Sequence, residues 1–114
     1  MLSPEQACEI ARSFPGVDEG VYRGQPTFMI RKKYVGRIFD DNESFVLRVE
    51  EPDRGFLLNA EPETFYAHDR YFGRPFLLIR LGMVDFEHFR FLFEKTWRGA
   101  APKYLQKEYD ARER

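Results

Sequence analysis

The segment GVYRGQPTFMIRKKYVGRIF, residues 20–39, decides the fold of this 114-residue chain. It contains three candidate strands, a Gly-x-Pro turn and five basic residues, but no Asp or Glu. Its β-branched and aromatic residues are typical of strands, while Gly and Pro favour turns. The segment therefore predicts antiparallel hairpins that carry positive charge, in a chain whose net charge is −1.

Four strands are predicted within and beside this segment. They span Val17–Tyr22, Thr27–Arg31, Tyr34–Phe39 and Ser44–Val49. Alternate apolar residues indicate that one face of the sheet is buried, because side chains alternate along a strand. The residues predicted on this face are Phe28, Ile30, Tyr34, Ile38, Phe45, Leu47 and Val49. Arg37 and Arg48 fall on the opposite face, which we expect to be partly solvated.

A helix is predicted before the first strand. Ser3 supplies an N-cap, and Gln6 completes a capping box three residues later. Apolar residues then recur at helical spacing and form one stripe, which we expect to face the core. The stripe consists of Ala7, Ile10, Ala11 and Phe14. Pro15-Gly16 ends the helix, because these two residues interrupt regular structure.

The second half of the chain predicts more helices and a fifth strand. The elements are a helix over Pro52–Asn59, a helical turn over Pro62–Phe65, a strand over Phe76–Leu81, a helix from the Asp85 cap to Gly99, and a short helix from Pro102 through Leu105. The polar segment 107–114 is expected to fray. The order is α-β-β-β-β-α-β-α, which predicts a two-layer α+β fold: a five-stranded antiparallel sheet with helices packed on one face.

Length and composition predict one domain over residues 1–114, because a chain of this size forms a single core. Hydrophobic residues make up 43% of the chain and aromatic residues 17%, which is enough to fill that core. The only cysteine, Cys8, cannot form an internal disulfide, so a reducing, cytoplasmic location is expected. No apolar run reaches the roughly 18 residues of a membrane span, and no signal peptide is recognised.

Charge along the sequence predicts a candidate nucleic-acid site. The five cations of residues 20–39 are Arg23, Arg31, Lys32, Lys33 and Arg37. Cations on turns and strands can reach phosphates, and the interleaved Tyr22 and Tyr34 could stack on bases. A simpler interpretation is also open: a solvated turn, with Arg23 and Arg37 paired to the acidic segment 40–43. DNA is the nucleic acid we expect.

A protein-interaction module is the alternative function. The second face of the sheet mixes apolar and cationic side chains, as interfaces do, and could bind another protein or a second copy of the chain. Its residues are Val35, Arg37, Phe39, Val46 and Arg48, with Tyr71, Phe72 and Phe76 nearby. The other interpretation of these aromatic residues is that they close one end of the core.

Enzymatic chemistry is not predicted. His68 and His88 are the only histidines, and they lack the paired spacing of a zinc site. Asp40, Asp41 and Glu43 lack the alternation and glycine of a calcium-binding loop. No nucleophile with an adjacent base and no phosphate-binding glycine loop is present. We therefore expect neither a metal nor a cofactor, and a protein that is not an enzyme.

Several short motifs, taken in order, resemble the MmcQ/YjbR family of small bacterial proteins. They are Phe14-Pro15-Gly16-Val17, Gly24-x-Pro26-x-Phe28, Tyr71-x-Gly73, a strand ending in Leu81, and a helix bearing Trp97 followed by Ala100-Ala101-Pro102-Lys103. The resemblance covers nearly the whole chain. It implies an antiparallel sheet with helices on one side, similar to type III secretion chaperones. It also implies a DNA-binding role in which β-hairpins act as wings.

Overall fold

The computed structural model describes residues 1–112 and has an α+β fold built on one open antiparallel sheet. The strands are β1 (Val17–Tyr22), β2 (Gln25–Ile30), β3 (Lys33–Ile38), β4 (Ser44–Arg48), β5 (Phe65–Tyr66) and β6 (Phe76–Arg80), in the spatial order β1-β2-β3-β4-β6-β5. The helices are α1 (Pro4–Arg12), α2 (Asp53–Ala60), α3 (Phe86–Ala100) and α4 (Lys103–Arg112). The coarse prediction of fold class is confirmed.

Capping residues define where the two main helices begin. Ser3 accepts a hydrogen bond from the backbone N–H of Gln6, and the Gln6 side chain accepts one from the backbone N–H of Ser3, as the capping box predicted. At the start of α3, the Asp85 carboxylate accepts a hydrogen bond of 2.7 Å from the backbone N–H of His88. Each cap satisfies backbone N–H groups that have no partner within the helix.

The main core lies between the sheet and the helices. Phe45 on β4 packs edge to face against Phe89 of α3, with ring centroids 5.1 Å apart. Trp97, further along α3, is fully buried. It contacts Phe14, which follows the end of α1, and Tyr109 of α4. Aromatic side chains therefore hold α1, α3 and α4 together as one layer.

An irregularity in the pairing of β2 with β3 changes which side chains share a face. Phe28 pairs with Gly36, but the next residue, Met29, pairs with Tyr34, so β3 carries one extra residue. Such a bulge reverses the alternation of side chains beyond it. Val35 consequently joins Ile38 in the main core, whereas Tyr34 packs on the opposite face. The predicted placement of Tyr34 with Ile38 is wrong for this reason.

The second face of the sheet has a small core of its own. Phe39, Val46, Tyr71, Phe76 and Leu78 are buried there, with Tyr34 and Tyr66 packed against them. The segment that follows β5 covers this face and includes a single turn of 3₁₀ helix at residues 69–71. The sheet face expected to bind a partner is therefore covered by the chain's own side chains.

Two elements differ from the predicted order. Phe65, predicted to end a helical turn, instead begins the two-residue strand β5, in which Phe65 and Tyr66 pair with Ile79 and Leu78 at the edge of the sheet. Helix α4 continues to Arg112 instead of ending near Leu105, because Tyr109 is buried against Phe14 and Trp97. Residues 113 and 114 of the segment predicted to fray lie outside the described residues.

Candidate functional site

The five predicted cations fall into two groups at opposite ends of the sheet. Arg23 lies in the β1–β2 turn, whereas Arg31, Lys32 and Lys33 lie at the β2–β3 turn. The six-residue strand β2 separates these turns by about 20 Å, at roughly 3.3 Å per residue. Arg37 lies near the C-terminal end of β3, at the same end of the sheet as Arg23, and both arginines contact Asp40. The basic block of the sequence is therefore not one surface.

The cationic turn, which consists of Arg31, Lys32 and Lys33, is exposed to solvent. Arg31 and Lys32 have φ angles of 51° and 69°, the left-handed backbone of a tight hairpin turn. Glycine and asparagine are the residues that usually occupy such positions, since they adopt positive φ at little cost. Within residues 1–112, none of these three cations forms an ion pair.

The arginine cluster, defined as Arg23, Arg37 and Arg70 around Asp40, lies at the other end of the sheet. The Asp40 carboxylate is 2.7 Å from Nη1 of Arg70 and 3.1 Å from Nη1 of Arg37. It is also 3.1 Å from Nε of Arg23. These hydrogen bonds, that of Arg70 above all, hold the pKa of Asp40 well below its usual range. Asp40 is therefore ionised at neutral pH, and the cluster carries a charge of +2.

Arg37 is the buried member of the cluster. Its side chain is 1% exposed, and its Nε donates to the Tyr71 hydroxyl at 3.3 Å. Its Nη1 donates to the carbonyl of Ile38 as well as to Asp40. Arg37 Nη2 and the Tyr34 hydroxyl are buried without a hydrogen-bond partner among the described residues. Arg37 therefore has no exposed surface with which to contact a phosphate directly, since Asp40 and the small second core enclose it.

Aromatic rings surround the arginine cluster. The Arg37 guanidinium lies 5.0 Å from the ring centroid of Tyr22, which is 53% exposed. The Phe39 ring centroid lies 5.4 Å from the Arg37 guanidinium and 5.3 Å from that of Arg70, and the His68 ring packs against Phe39 in an edge-to-face arrangement. Cation–π contacts of this kind stabilise the arginines where little water reaches them.

A groove of about 510 Å³ lies between α2 and α3. Phe56 and Phe91 line it and remain 70% and 61% exposed, although both are large apolar side chains. Its rim carries charges of both signs, including Lys33 of the cationic turn and the Lys95–Asp53 ion pair of 2.7 Å. Neither Phe56 nor Phe91 was predicted to be functional: Phe56 belongs to the predicted helix over Pro52–Asn59, and Phe91 to the predicted helix from the Asp85 cap to Gly99.

Nucleophilic and metal-binding side chains give less support for a functional site. Burial raises the pKa of the Cys8 thiol to about 11, so this thiol is protonated and weakly nucleophilic at neutral pH. In the part of the chain that the structure describes, no group of three or more His, Cys, Asp or Glu residues is arranged to hold a metal ion.

No helix between residues 1 and 112 is both long and apolar enough to cross a membrane.

No protein-family model matches the chain, and comparisons with curated proteins and with solved structures also give no significant match. Geometry alone therefore selects the candidate sites.

Arg70 is a further functional candidate that the sequence did not reveal. It lies in the loop that covers the second sheet face, far from Arg23 and Arg37 along the chain. No local pattern joins the three arginines, because they meet only when that loop packs on the sheet. The acidic turn beside the basic block was the one available signal, since it suggested that Asp40 would pair with Arg23 and Arg37.

Proposed function

We propose that the protein binds the phosphate backbone of nucleic acid, in the first instance DNA, through the cationic turn. The observation that carries this proposal is that Arg31, Lys32 and Lys33 are exposed without an ion pair in residues 1–112. Cations that are already hydrated and unpaired can neutralise phosphates without breaking an existing contact. The hairpin between β2 and β3 would then act as a wing, as the resemblance to the MmcQ/YjbR family implies.

Backbone conformation supports a role for the turn beyond folding. Left-handed φ angles at Arg31 and Lys32 cost about 1 kcal/mol each in a residue that has a side chain. An Asn-Gly pair would form the same turn with less strain. Cations at these two positions thus lower stability at a place where they can contact a ligand, as is common in functional turns.

The double variant Arg31→Asn/Lys32→Gly tests this proposal. The wild type, with three phosphate contacts, is expected to show a slope of about −2.7 in log K against log salt on duplex DNA, from about 0.9 per contact. The variant retains only Lys33, so its slope should be about −0.9. Fluorescence anisotropy over a salt series measures both values. Thermal unfolding should show a variant at least as stable as the wild type, because the backbone strain is relieved.

Arg80→Gln is the matched control, since Arg80 pairs with Ser44 at the opposite end of the sheet and its loss should leave the slope unchanged. Equal slopes for the wild type and the double variant would contradict the proposal. A wild-type slope near zero would contradict it as well, because the electrostatic contribution would then be missing.

One observation favours a second function, the binding of apolar side chains from a partner protein. The groove between α2 and α3 exposes both Phe56 and Phe91, and exposed aromatic side chains in one groove are more typical of an interaction site than of ordinary surface. The groove is therefore the surface that we propose for protein interaction, in place of the second face of the sheet that the sequence indicated.

Phe56→Ser/Phe91→Ser is expected to reduce the fluorescence of an added hydrophobic dye at least threefold, because both aromatic walls of the groove are lost. Phe72→Ser is the control: Phe72 is 89% exposed but lies outside the groove, so dye binding should not change. An equal reduction in both variants would mean that the dye reports scattered surface aromatics, and the groove would lose its support.

A further inference from the structure

The arginine cluster brings together more positive charge than its one carboxylate neutralises. Three guanidinium groups contact Asp40, which leaves a net charge of +2. Like charges at such short range repel each other, and the repulsion is strongest where water is excluded, as around the buried Arg37. An arrangement of this kind is stabilised further when an anion binds, because the anion removes the remaining repulsion.

Asp40 is the one acidic side chain within residues 1–112 that forms an ion pair with the cluster. Asp41 uses its carboxylate within its own turn, where it accepts hydrogen bonds from the backbone N–H groups of Glu43 and Ser44 and from the Ser44 hydroxyl. Between residues 1 and 112, neither Glu43 nor Asp69 forms an ion pair with any of the three arginines. The charge of +2 is thus a local property of this surface.

Several N–H groups of the arginine cluster have no hydrogen-bond partner among the described residues. An arginine side chain has five N–H groups, and within the described residues Arg23 and Arg70 each donate one hydrogen bond, to Asp40. Both are partly exposed, and both can direct their remaining N–H groups at a ligand. Among residues 1–112, Nη2 of the buried Arg37 has no hydrogen-bond partner. Buried polar groups of this type are rare, and each calls for an explanation.

We propose that the arginine cluster is a binding site for a phosphate monoester in its dianionic form. Arg23 and Arg70 contact the phosphate oxygens, because planar guanidinium groups match them in geometry and charge. Arg37 adds charge from below, and Asp40 holds the three arginines in position. The half-exposed ring of Tyr22 offers a surface on which an aromatic group of the ligand can stack.

This site differs from the cationic turn in position and in ligand. The two lie at opposite ends of the sheet, and a phosphodiester in a nucleic-acid backbone carries one charge, whereas a monoester carries nearly two at neutral pH. Either proposal can fail without the other. Free inorganic phosphate and a nucleoside monophosphate share the chemistry that the cluster recognises.

The site is tested by titrating the full chain with AMP, inorganic phosphate and adenosine. Calorimetry and the NMR shifts of the arginine side chains measure binding. AMP and phosphate should bind with saturation and shift the Arg23 and Arg70 signals, and adenosine should not. Tighter binding of AMP than of phosphate would assign a stacking role to Tyr22, and Tyr22→Ala should then remove the difference. Equal binding of the two would show that the site recognises the phosphate group alone and that Tyr22 has no stacking role.

Arg23→Gln/Arg70→Gln should weaken the binding of both anions at least tenfold. It leaves the Arg37–Asp40 ion pair in place, so the fold should persist, which circular dichroism checks. Lys32→Gly should leave AMP affinity unchanged, because Lys32 belongs to the cationic turn. The absence of saturable binding, or an equal loss in the Lys32→Gly variant, would overturn the proposal.

A pH series separates a dianion site from a general attraction for anions. The second pKa of a phosphate monoester is about 6, so only about a tenth of AMP is dianionic at pH 5. AMP affinity should therefore fall about tenfold between pH 7.5 and pH 5. Sulfate is a dianion throughout this range and meets the same side chains, including His68 beside Phe39, so the ratio of AMP affinity to sulfate affinity should fall by the same factor. AMP affinity that does not depend on pH would contradict recognition of the dianion.

Discussion

Trp97→Ala is expected to lower the free energy of unfolding by about 4 kcal/mol, within the range for a fully buried aromatic residue. The Trp97 ring lies 5.5 Å from that of Phe14 and 5.0 Å from that of Tyr109. Its Nε1 donates a hydrogen bond of 2.8 Å to the carbonyl of Pro15. The change would leave a cavity where α1, α3 and α4 meet and would remove the side-chain donor to that partly buried carbonyl.

Urea unfolding, followed by circular dichroism, measures this loss. Phe91→Ala is the matched control, because Phe91 lies on the same helix but is mostly exposed; its free energy of unfolding should change by less than about 0.5 kcal/mol. Trp97→Phe keeps most of the packing and should lose about half as much, which gives a measurable value if the alanine variant does not fold. Similar losses for Trp97→Ala and Phe91→Ala would show that the aromatic layer is not the centre of the core.

Gly36→Ala is expected to lower the free energy of unfolding by about 3 kcal/mol, the upper part of the usual range for overpacking. A Cβ atom at this position would lie 2.6 Å from Cε1 of Phe45 and 2.7 Å from the backbone oxygen of Val46. The Phe45 ring is enclosed by the core, and the oxygen belongs to a paired strand, so neither can move freely.

The same unfolding measurement applies to Gly36→Ala. Gly82→Ala is its control, because within residues 1–112 no atom beyond the adjacent residues lies within 4 Å of an added Cβ at Gly82, and its φ is not in the left-handed region. That variant should be within about 0.5 kcal/mol of the wild type. A Gly36→Ala variant as stable as the control would mean that β3 and β4 are less closely packed than the structure has them.

Local signals in the sequence predicted the helices that carry them. The Ser3 capping box and the Asp85 cap each involve residues three apart, and both helices begin where these signals lie. The Pro15-Gly16 stop is equally local. Strands β1 to β4 were predicted to within a few residues, since turn residues bound each of them. A single sequence can reveal interactions of this kind, because the residues involved are only a few positions apart.

Features that depend on distant parts of the chain were missed. The two-residue strand β5 is too short to show alternation, and it forms only because β6 offers an edge. The bulge in β3 depends on its pairing with β2, so alternation alone misplaced Tyr34. Tyr109 is an isolated aromatic in a polar segment, and its burial depends on Phe14 and Trp97.

The candidate sites divide in the same way. The exposed cations of the β2–β3 turn were predicted, because a run of three basic residues in a tight turn has few ways to be buried. The arginine cluster was predicted only in part: the pairing of Arg23 and Arg37 with the acidic turn was one of two open interpretations, and Arg70 was absent from both. Charge that is adjacent in sequence was a poor guide to charge that is adjacent in space.

The stacking of Tyr109 on Phe14, with ring centroids 5.2 Å apart, bears on how the protein is made. Every strand of the sheet leaves the ribosome before Tyr109, so a nascent chain can pair its strands while Phe14 and Trp97 still lack their last partner. Apolar surface of this kind is what chaperones bind and what makes unfinished chains aggregate. We expect completion of the helical layer to follow synthesis of α4, with the growing polypeptide most vulnerable to proteases until then.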